Sequence, residues 1–168
     1  MAELRFKLIQ PKALNTTQMR RVLTEALHKA ALDIQKDFQR TTSTWSHKPA
    51  FRITNTSTKD RLSERIETDD SIYTMLSVGT RPHIIRPRHA KALSFRGGPY
   101  TAKSVPGTLN ARSGGSSGSQ VAARFVNHPG TAPRRFDKTV AKEWRKKFPD
   151  RMQDALNKAA KASGNHYD

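Results

Sequence analysis

The fold is set first by residues 18–39, which read QMRRVLTEALHKAALDIQKDFQ. Apolar side chains recur there at steps of three and four residues, which places them on one stripe of a helix. They are Met19, Val22, Leu23, Ala26, Leu27, Ala30, Ile34 and Phe38. Residues 15–17, Asn-Thr-Thr, precede the stripe and supply N-cap candidates. Gln18, three residues after Asn15, fits a capping box, and Pro11 prevents an earlier start. The stretch predicts a long amphipathic helix packed on a sheet or a neighbour.

Downstream of this helix the apolar period becomes strand-like. Phe51 and Ile53 alternate with polar residues, and the run from Ile72 to Val78 gives the strongest strand prediction, with Gly79 at its end. Asp69-Asp70-Ser71 reads as the turn before it. The segments that predict short strands are 51–55, 62–66, 72–78, 83–86, 92–95 and 121–126.

Residues 97–120 are rich in Gly, Ser and Pro and carry Lys103 and Arg112 without any acidic residue. Such a composition predicts a long flexible loop, read here as a basic arm extended from a hairpin. We therefore expect a small, mainly antiparallel sheet from which a flexible loop of 97–120 projects.

The C-terminal part returns to a helical period. Its apolar residues Phe136, Val140, Trp144 and Phe148 step by four. Pro149 should break or kink this helix, Asp150 should cap a second segment, and residues 163–168 should fray. The order helix, strands, helix predicts an α+β fold, and the length predicts a single domain spanning 1–168.

Composition narrows the classes of function. The chain has 168 residues, no cysteine, 31 Lys+Arg against 14 Asp+Glu, and a formal net charge of +17. The absence of cysteine excludes a disulfide scaffold, a thiolate nucleophile and a Cys-based zinc site. The sequence shows no secretory signal and no membrane-spanning run, so we expect a soluble protein made in the cytoplasm. Because hydrophobic residues make up only 35%, either part of the chain lies outside the core or other subunits complete it.

Motifs for chemistry are weak. His83 and His128 are expected to bond backbone groups in tight turns beside Pro82 and Pro129. The acids near Asp69 and Asp70 suit a Mg²⁺-dependent nuclease, but a turn and a solvated strand explain them as well. A Gly-x-Ser-x-Gly spacing occurs only at residues 114–118, inside a Gly- and Ser-rich run, and a phosphate-loop spacing is missing. The sequence therefore predicts no enzyme and no catalytic, metal or cofactor site, with a nuclease kept as an alternative.

Two segments read as stiff, shaped turns because Gly permits positive φ and Pro fixes φ. Residues 78–88 read VGTRPHIIRPR, and residues 126–136 read VNHPGTAPRRF. Exposed stiff turns are suited to docking. A purely structural role, in which they only connect strands and helices, explains them equally well.

These two motifs, in this order, resemble those of the tailed-bacteriophage neck and tail-completion (head–tail joining) proteins. The KALSF segment at 91–95 and the stretch at 72–80 fit the same pattern, and the resemblance covers residues 70–148. It implies a structural virion protein, made in the host cytoplasm, in a ring of hexamer or dodecamer type. Its implied partners are further copies of itself and neighbouring connector and tail-tube proteins, with no membrane. Packaged DNA is a further candidate partner.

The resemblance also implies contact residues, and the basic loop adds two more. The expected interface residues are Arg81, His83, Arg86, Arg88, Lys103, Arg112, His128, Arg134 and Arg135. Residues 97–120 are expected to become ordered only on assembly. The alternative from charge alone is a protein that binds nucleic acid non-specifically through a basic surface, with strong salt dependence.

Overall fold

The first helix, α1, spans Thr16–Thr41 in the computed structural model, which describes residues 13–165. Asn15, one of the three predicted N-cap candidates, caps the helix, because its Oδ1 accepts a hydrogen bond of 2.9 Å from the Gln18 N–H. The second half of the capping box is replaced by a contact from the other end of the chain. The Asn15 N–H donates to the Ser163 Oγ at 3.3 Å. The predicted helix is confirmed and is two residues longer at each end.

A short hairpin packs on this helix. Strand β1, Arg52–Asn55, pairs in antiparallel register with strand β2, Glu64–Glu67. The Gln35 side chain joins the hairpin to α1 by donating from Nε2 to the Phe51 carbonyl at 2.6 Å. Both strand predictions in this region are confirmed.

Residues Ser71–Val78 form a helix, α2, so the strand predicted at 72–78 is wrong. The Asp70 carboxylate caps the helix, because its Oδ1 accepts from the Tyr73 N–H at 2.7 Å. The Tyr73 ring is then buried against Trp45, Phe51 and Phe136. A short apolar run fits a helix or a strand equally well, and here the cap decides. Gly79, with φ 87°, ends the helix.

Asp70 provides a test of this cap. The Tyr73 N–H and then the His47 side chain hold the pKa of Asp70 below its usual value. A lowered folded-state pKa means that the carboxylate stabilises the fold above about pH 4 and loses this effect as pH falls through the folded-state pKa. We expect Asp70→Ala to lower the free energy of unfolding by about 1 kcal/mol at pH 7.

Asp70→Asn is the matched control, because it keeps a cap oxygen and removes the charge. It should retain most of the stability at pH 7, and its difference from wild type should vanish at the acid end of a urea-unfolding series. A difference that persists unchanged at the lowest pH would contradict this account.

A long antiparallel hairpin follows α2. Its strands are β3 His83–Ile85, β4 Leu93–Arg96, β5 Tyr100–Thr101, β6 Gly115–Ser116, β7 Gln120–Ala123 and β8 Val126–His128. Strand β3 pairs with β8, β4 with β7, and β5 with β6. Bridges at Thr80–Thr131 and Ser104–Ala111 extend the same pairing at its two ends. We call residues 80–131 the ribbon and the remaining described residues the body.

The ribbon adds detail to one expectation and changes another. The segment 97–120 extends from the hairpin as predicted, and it contains β5, β6 and the Ser104–Ala111 bridge, which the sequence analysis does not predict. Its tip residue Leu109 is only 3% exposed. The strand predicted at 121–126 is two strands, β7 and β8, separated at residues 124–125. The seven residues 86–92 of the first arm lie opposite these two, so the ribbon is strongly irregular there.

The last helix, α3, spans Phe136–Ala162 and runs through Pro149, so the predicted break and the cap at Asp150 are not found. Contacts with α1 hold both sides of the proline. The Trp144 Nε1–H donates to the Asp37 Oδ2 at 2.8 Å, and Arg151 pairs with the Asp33 Oδ2 at 2.8 Å. These bonds keep the helix continuous although the proline removes one backbone donor.

The C-terminal end is more ordered than the sequence suggests. The Ser163 N–H and hydroxyl both donate to the Ala159 carbonyl, and Asn165 is buried. The predicted fraying is therefore wrong for residues 163–165, and residues 166–168 lie outside the described part of the chain.

Two apolar clusters form the core. One contains Ala30, Leu109, Val140 and Trp144 and joins α1, α3 and the ribbon tip. The other contains Trp45, Phe51, Tyr73 and Phe136. Seven of these eight residues belong to the body, so the α+β fold is a helical body carrying a ribbon that buries a single apolar side chain in the core.

Candidate interaction surface

The two turn motifs of the sequence are the two arms of one structure, the base of the ribbon. Thr80 and Thr131 exchange both backbone hydrogen bonds at 3.0 Å. Three residues further out, His83 faces His128, with ring centroids 5.0 Å apart. Motifs that lie far apart in sequence therefore form one element.

The histidines stabilise this base through backbone contacts, as predicted. The His83 Nδ1 lies 2.8 Å from the Arg81 carbonyl, and the Gly130 N–H donates to the His128 Nδ1 at 3.0 Å. A carbonyl needs a donor and an N–H needs an acceptor, so the proton sits on the Nδ1 of His83 and is absent from that of His128. Both rings are thus parts of their turns.

The ribbon base is fastened to the body through α2. The N–H of Arg134 donates to the Leu76 carbonyl at 3.0 Å, and the N–H of Arg135 donates to the Ser77 carbonyl at 2.9 Å. Arg135 adopts a left-handed backbone with φ 54° just before α3 begins. The last turn of α2 and the start of α3 therefore hold the base in place.

The ribbon tip is fastened separately. Leu109 inserts between the two long helices, against Ala30, Val140 and Trp144. Beside it, the Thr44 hydroxyl donates to the Arg112 carbonyl at 3.0 Å. The ribbon is therefore tied to the body at both ends.

Between its ends the ribbon encloses an open groove of about 1080 Å³. The groove is lined mainly by apolar side chains, with charged and polar groups from Arg96, His128 and Arg134. The apolar lining residues are Ile85, Leu93, Phe95, Tyr100 and Val126.

Much of the ribbon's apolar surface is exposed to solvent. Of the twelve exposed large hydrophobic residues in the described part of the chain, six lie on the ribbon. They are Ile84, Ile85, Phe95, Tyr100, Val121 and Phe125. Each strand pair of the ribbon is two-stranded, so within residues 13–165 its outer edges have no strand partner. Both features are typical of a surface that another molecule covers.

The ribbon also concentrates positive charge. Residues 80–131 contain eight Lys and Arg and no Asp or Glu, and all 14 acids of the chain lie elsewhere. The ion pairs found among the described residues all belong to the body. The sequence shows this charge asymmetry as a gap in the positions of Asp and Glu over residues 80–131. A search for clusters of Lys and Arg does not find it, because the basic residues of the ribbon are dispersed.

Seven of the nine expected interface residues lie on the ribbon, and the other two follow it directly. Arg81, His83, Arg86 and Arg88 are exposed on the first arm. The guanidinium of Arg86 stacks 5.7 Å from the ring of Phe125 on the opposite arm.

The remaining expected residues divide between the tip, the groove and α3. Lys103 and Arg112 are joined near the tip by a backbone hydrogen bond of 3.0 Å. His128 and Arg134 line the groove together, whereas Arg135 lines a separate surface pocket with Pro106. Their contact with a partner stays a prediction. Sequence reasoning missed several exposed residues of the same surface: Lys91, Arg96, Phe95, Tyr100, Arg124 and Phe125.

The acids considered for a nuclease are separated into different contacts. Glu64 pairs with His28, Asp69 pairs with Arg52, and Asp70 pairs with His47 while it caps α2. Among residues 13–165, the structure contains no group of three His, Cys, Asp or Glu side chains that could hold a metal ion.

No helix in the described range 13–165 is both long and apolar enough to cross a membrane. The chain matches no protein-family model, no curated protein and no solved structure. Inference about its function therefore rests on its residues, its charge distribution and the geometry of the ribbon.

Proposed function

We propose that this protein is a structural ring subunit at the neck of a tailed phage, where it completes the tail or joins it to the DNA-filled head. The observation that carries the proposal is the ribbon base. The two motifs that resemble the neck and tail-completion proteins pair there as adjacent arms, His83 against His128. In this proposal the protein acts by docking, without chemistry, and resides in the virion.

The amount of exposed surface supports an assembly role. The chain exposes 12996 Å², whereas a compact monomer of 18.9 kDa exposes about 8,300 Å². Residues outside 13–165 can account for at most about 2,400 Å² of the difference. The remainder, about 2,300 Å², is more than the roughly 1,600 Å² that a ring subunit buries against two neighbours at about 800 Å² on each side, so the chain has enough excess surface for such contacts.

The proposed partners are further copies of the chain in a hexamer-type or dodecamer-type ring, together with connector and tail-tube proteins above and below it. The test is deletion of the gene from its phage, followed by electron microscopy of the lysate. We expect DNA-filled heads beside unattached tails, or tails of abnormal length, and rescue by a plasmid copy of the gene. Intact infectious virions after deletion would contradict the proposal.

Non-specific binding to nucleic acid is a second candidate, favoured by the eight ribbon cations that no acid neutralises. It requires the purified protein alone to bind a 30-base-pair duplex tightly, with an affinity that falls steeply as salt rises. Such binding, combined with intact virions after deletion, would replace the first proposal with the second.

A further inference from the structure

We propose that the ribbon docks on an acidic, apolar-bearing surface of a different protein, and not on DNA or on a second copy of this chain. The inference rests on the proposed function and names the partner chemistry of its main exposed surface.

The ribbon has no acidic residue that could neutralise its positive charge. Arg86, Arg88 and Lys91 are exposed in the irregular part of the first arm, and no ion pair within the described residues engages them. A surface of one sign attracts a partner of the opposite sign and raises its association rate. The partner surface is therefore acidic.

The exposed apolar side chains of the ribbon favour a protein partner over DNA. Ile84 and Phe125 are more than half exposed, and Phe95 and Val121 face each other across β4 and β7 with about two fifths of their surface exposed. Contacts to a phosphate backbone come from cationic and polar groups and leave such side chains in water. A protein surface that carries its own apolar residues buries them, as the centre of a stable interface does.

The positive charge of the body favours a different protein over a second copy of this chain as the partner of the ribbon. Two ribbons repel each other, because both carry only positive charge. The rest of the chain is also net positive, and within residues 13–165 five acids already pair with basic side chains of the body. They are Asp33, Asp37, Glu64, Asp69 and Asp70. The ring contacts between copies thus belong to other surfaces.

Three matched variants test the proposal. The apolar variant is Ile84→Thr, Phe95→Thr and Val121→Thr, which keeps strand propensity and charge. The charge variant is Arg86→Gln, Arg88→Gln and Lys91→Gln. The control removes the same charge from exposed positions of α3, as Arg145→Gln, Lys146→Gln and Lys147→Gln. Circular dichroism and thermal melting establish that each variant is folded.

The first measurement uses soluble polymers as probes. We expect wild type to bind a random glutamate–tyrosine copolymer roughly tenfold more tightly than polyglutamate of equal length at moderate salt, because only the copolymer covers the apolar side chains. The apolar variant should lose this preference, and the charge variant should lose affinity for both polymers relative to the control. Equal binding of the two polymers by wild type would overturn the inference.

The second measurement is complementation of the deleted phage. Wild type and the α3 control should restore tailed particles, and both ribbon variants should reduce them at least about tenfold. Rescue by the apolar variant but not the charge variant, with duplex DNA binding lost in parallel, would assign the ribbon to DNA. Loss of self-association in both ribbon variants by sedimentation would assign it to a second copy. Failure of wild type itself would reject the proposed function and leave the polymer result as the test of the ribbon.

Discussion

Replacing Leu109 with alanine is expected to lower the free energy of unfolding by about 3 kcal/mol, because truncating a buried leucine loses its transfer energy and leaves a cavity. Leu109 is 3% exposed and fills the space between Ala30, Val140 and Trp144. It is also the side chain by which the ribbon tip enters the core. The same variant should therefore speed amide exchange in β5 and β6 well beyond the global loss of stability.

Urea unfolding followed by tryptophan fluorescence measures the first effect, and hydrogen exchange measures the second. Leu156→Ala is the matched control, since Leu156 lies on α3 with 38% of its surface exposed, and it should change stability by less than about 1 kcal/mol. Rapid exchange at 100–116 in the free wild-type protein would contradict the anchored tip and restore the expectation of ordering on assembly.

Replacing Gly130 with alanine is the second large effect, and it acts at the opposite end of the ribbon. Gly130 has φ 88°, and an added Cβ would lie 2.9 Å from the Arg81 carbonyl carbon and 3.0 Å from the Pro82 nitrogen. The substitution combines left-handed strain with a clash against backbone that has no room to move. We expect a loss of about 3 kcal/mol and opening of the Thr80–Thr131 bridge.

Gly107→Ala separates strain from clash. Gly107 has a similar φ of 73° but nothing within 4 Å of an added Cβ, so only about 1 kcal/mol should be lost. Thermal melting gives the two stabilities, and hydrogen exchange at the amides of Thr80 and Thr131 reports the bridge. Equal losses in the two variants would show that the close packing at the ribbon base contributes nothing.

Elements with a long apolar period can be predicted from the sequence, because many apolar residues indicate the same buried face of the element. Helix α1 is the clear case, and its N-cap Asn15 is one of the three candidates that the sequence predicts. The run at 72–78 was ambiguous, since an eight-residue helix offers barely two turns of period. The Asp70 carboxylate, whose role as a cap depends on the backbone of Tyr73, decides between the alternatives.

The ribbon shows what local pattern leaves out. Each motif was recognised as a stiff turn, but their pairing depends on contacts between residues about fifty positions apart, and periodicity carries no information on these. Leu109 illustrates the same limit within a Gly- and Ser-rich segment. A lone leucine there has no local partner, so its burial becomes visible only when α1 and α3 bring Ala30 and Val140 together.

The predicted break at Pro149 follows from the rule that proline interrupts an isolated helix. Its missing donor weakens α3, yet Trp144 and Arg151 on either side bind acids of α1 and keep the helix continuous. Tertiary contacts thus override a local breaker.

The fastening of the ribbon at both ends has a consequence for the thermodynamics of association. A loop that folds on binding loses its conformational entropy at that moment, and its affinity for each unit of buried area falls accordingly. Here the Leu109 anchor and the Thr80–Thr131 bridge impose that loss during folding of the subunit. In the proposed assembly a partner therefore meets a pre-organised surface, and we expect its association to resemble the rigid-body association of two folded proteins whose encounter is guided by charge.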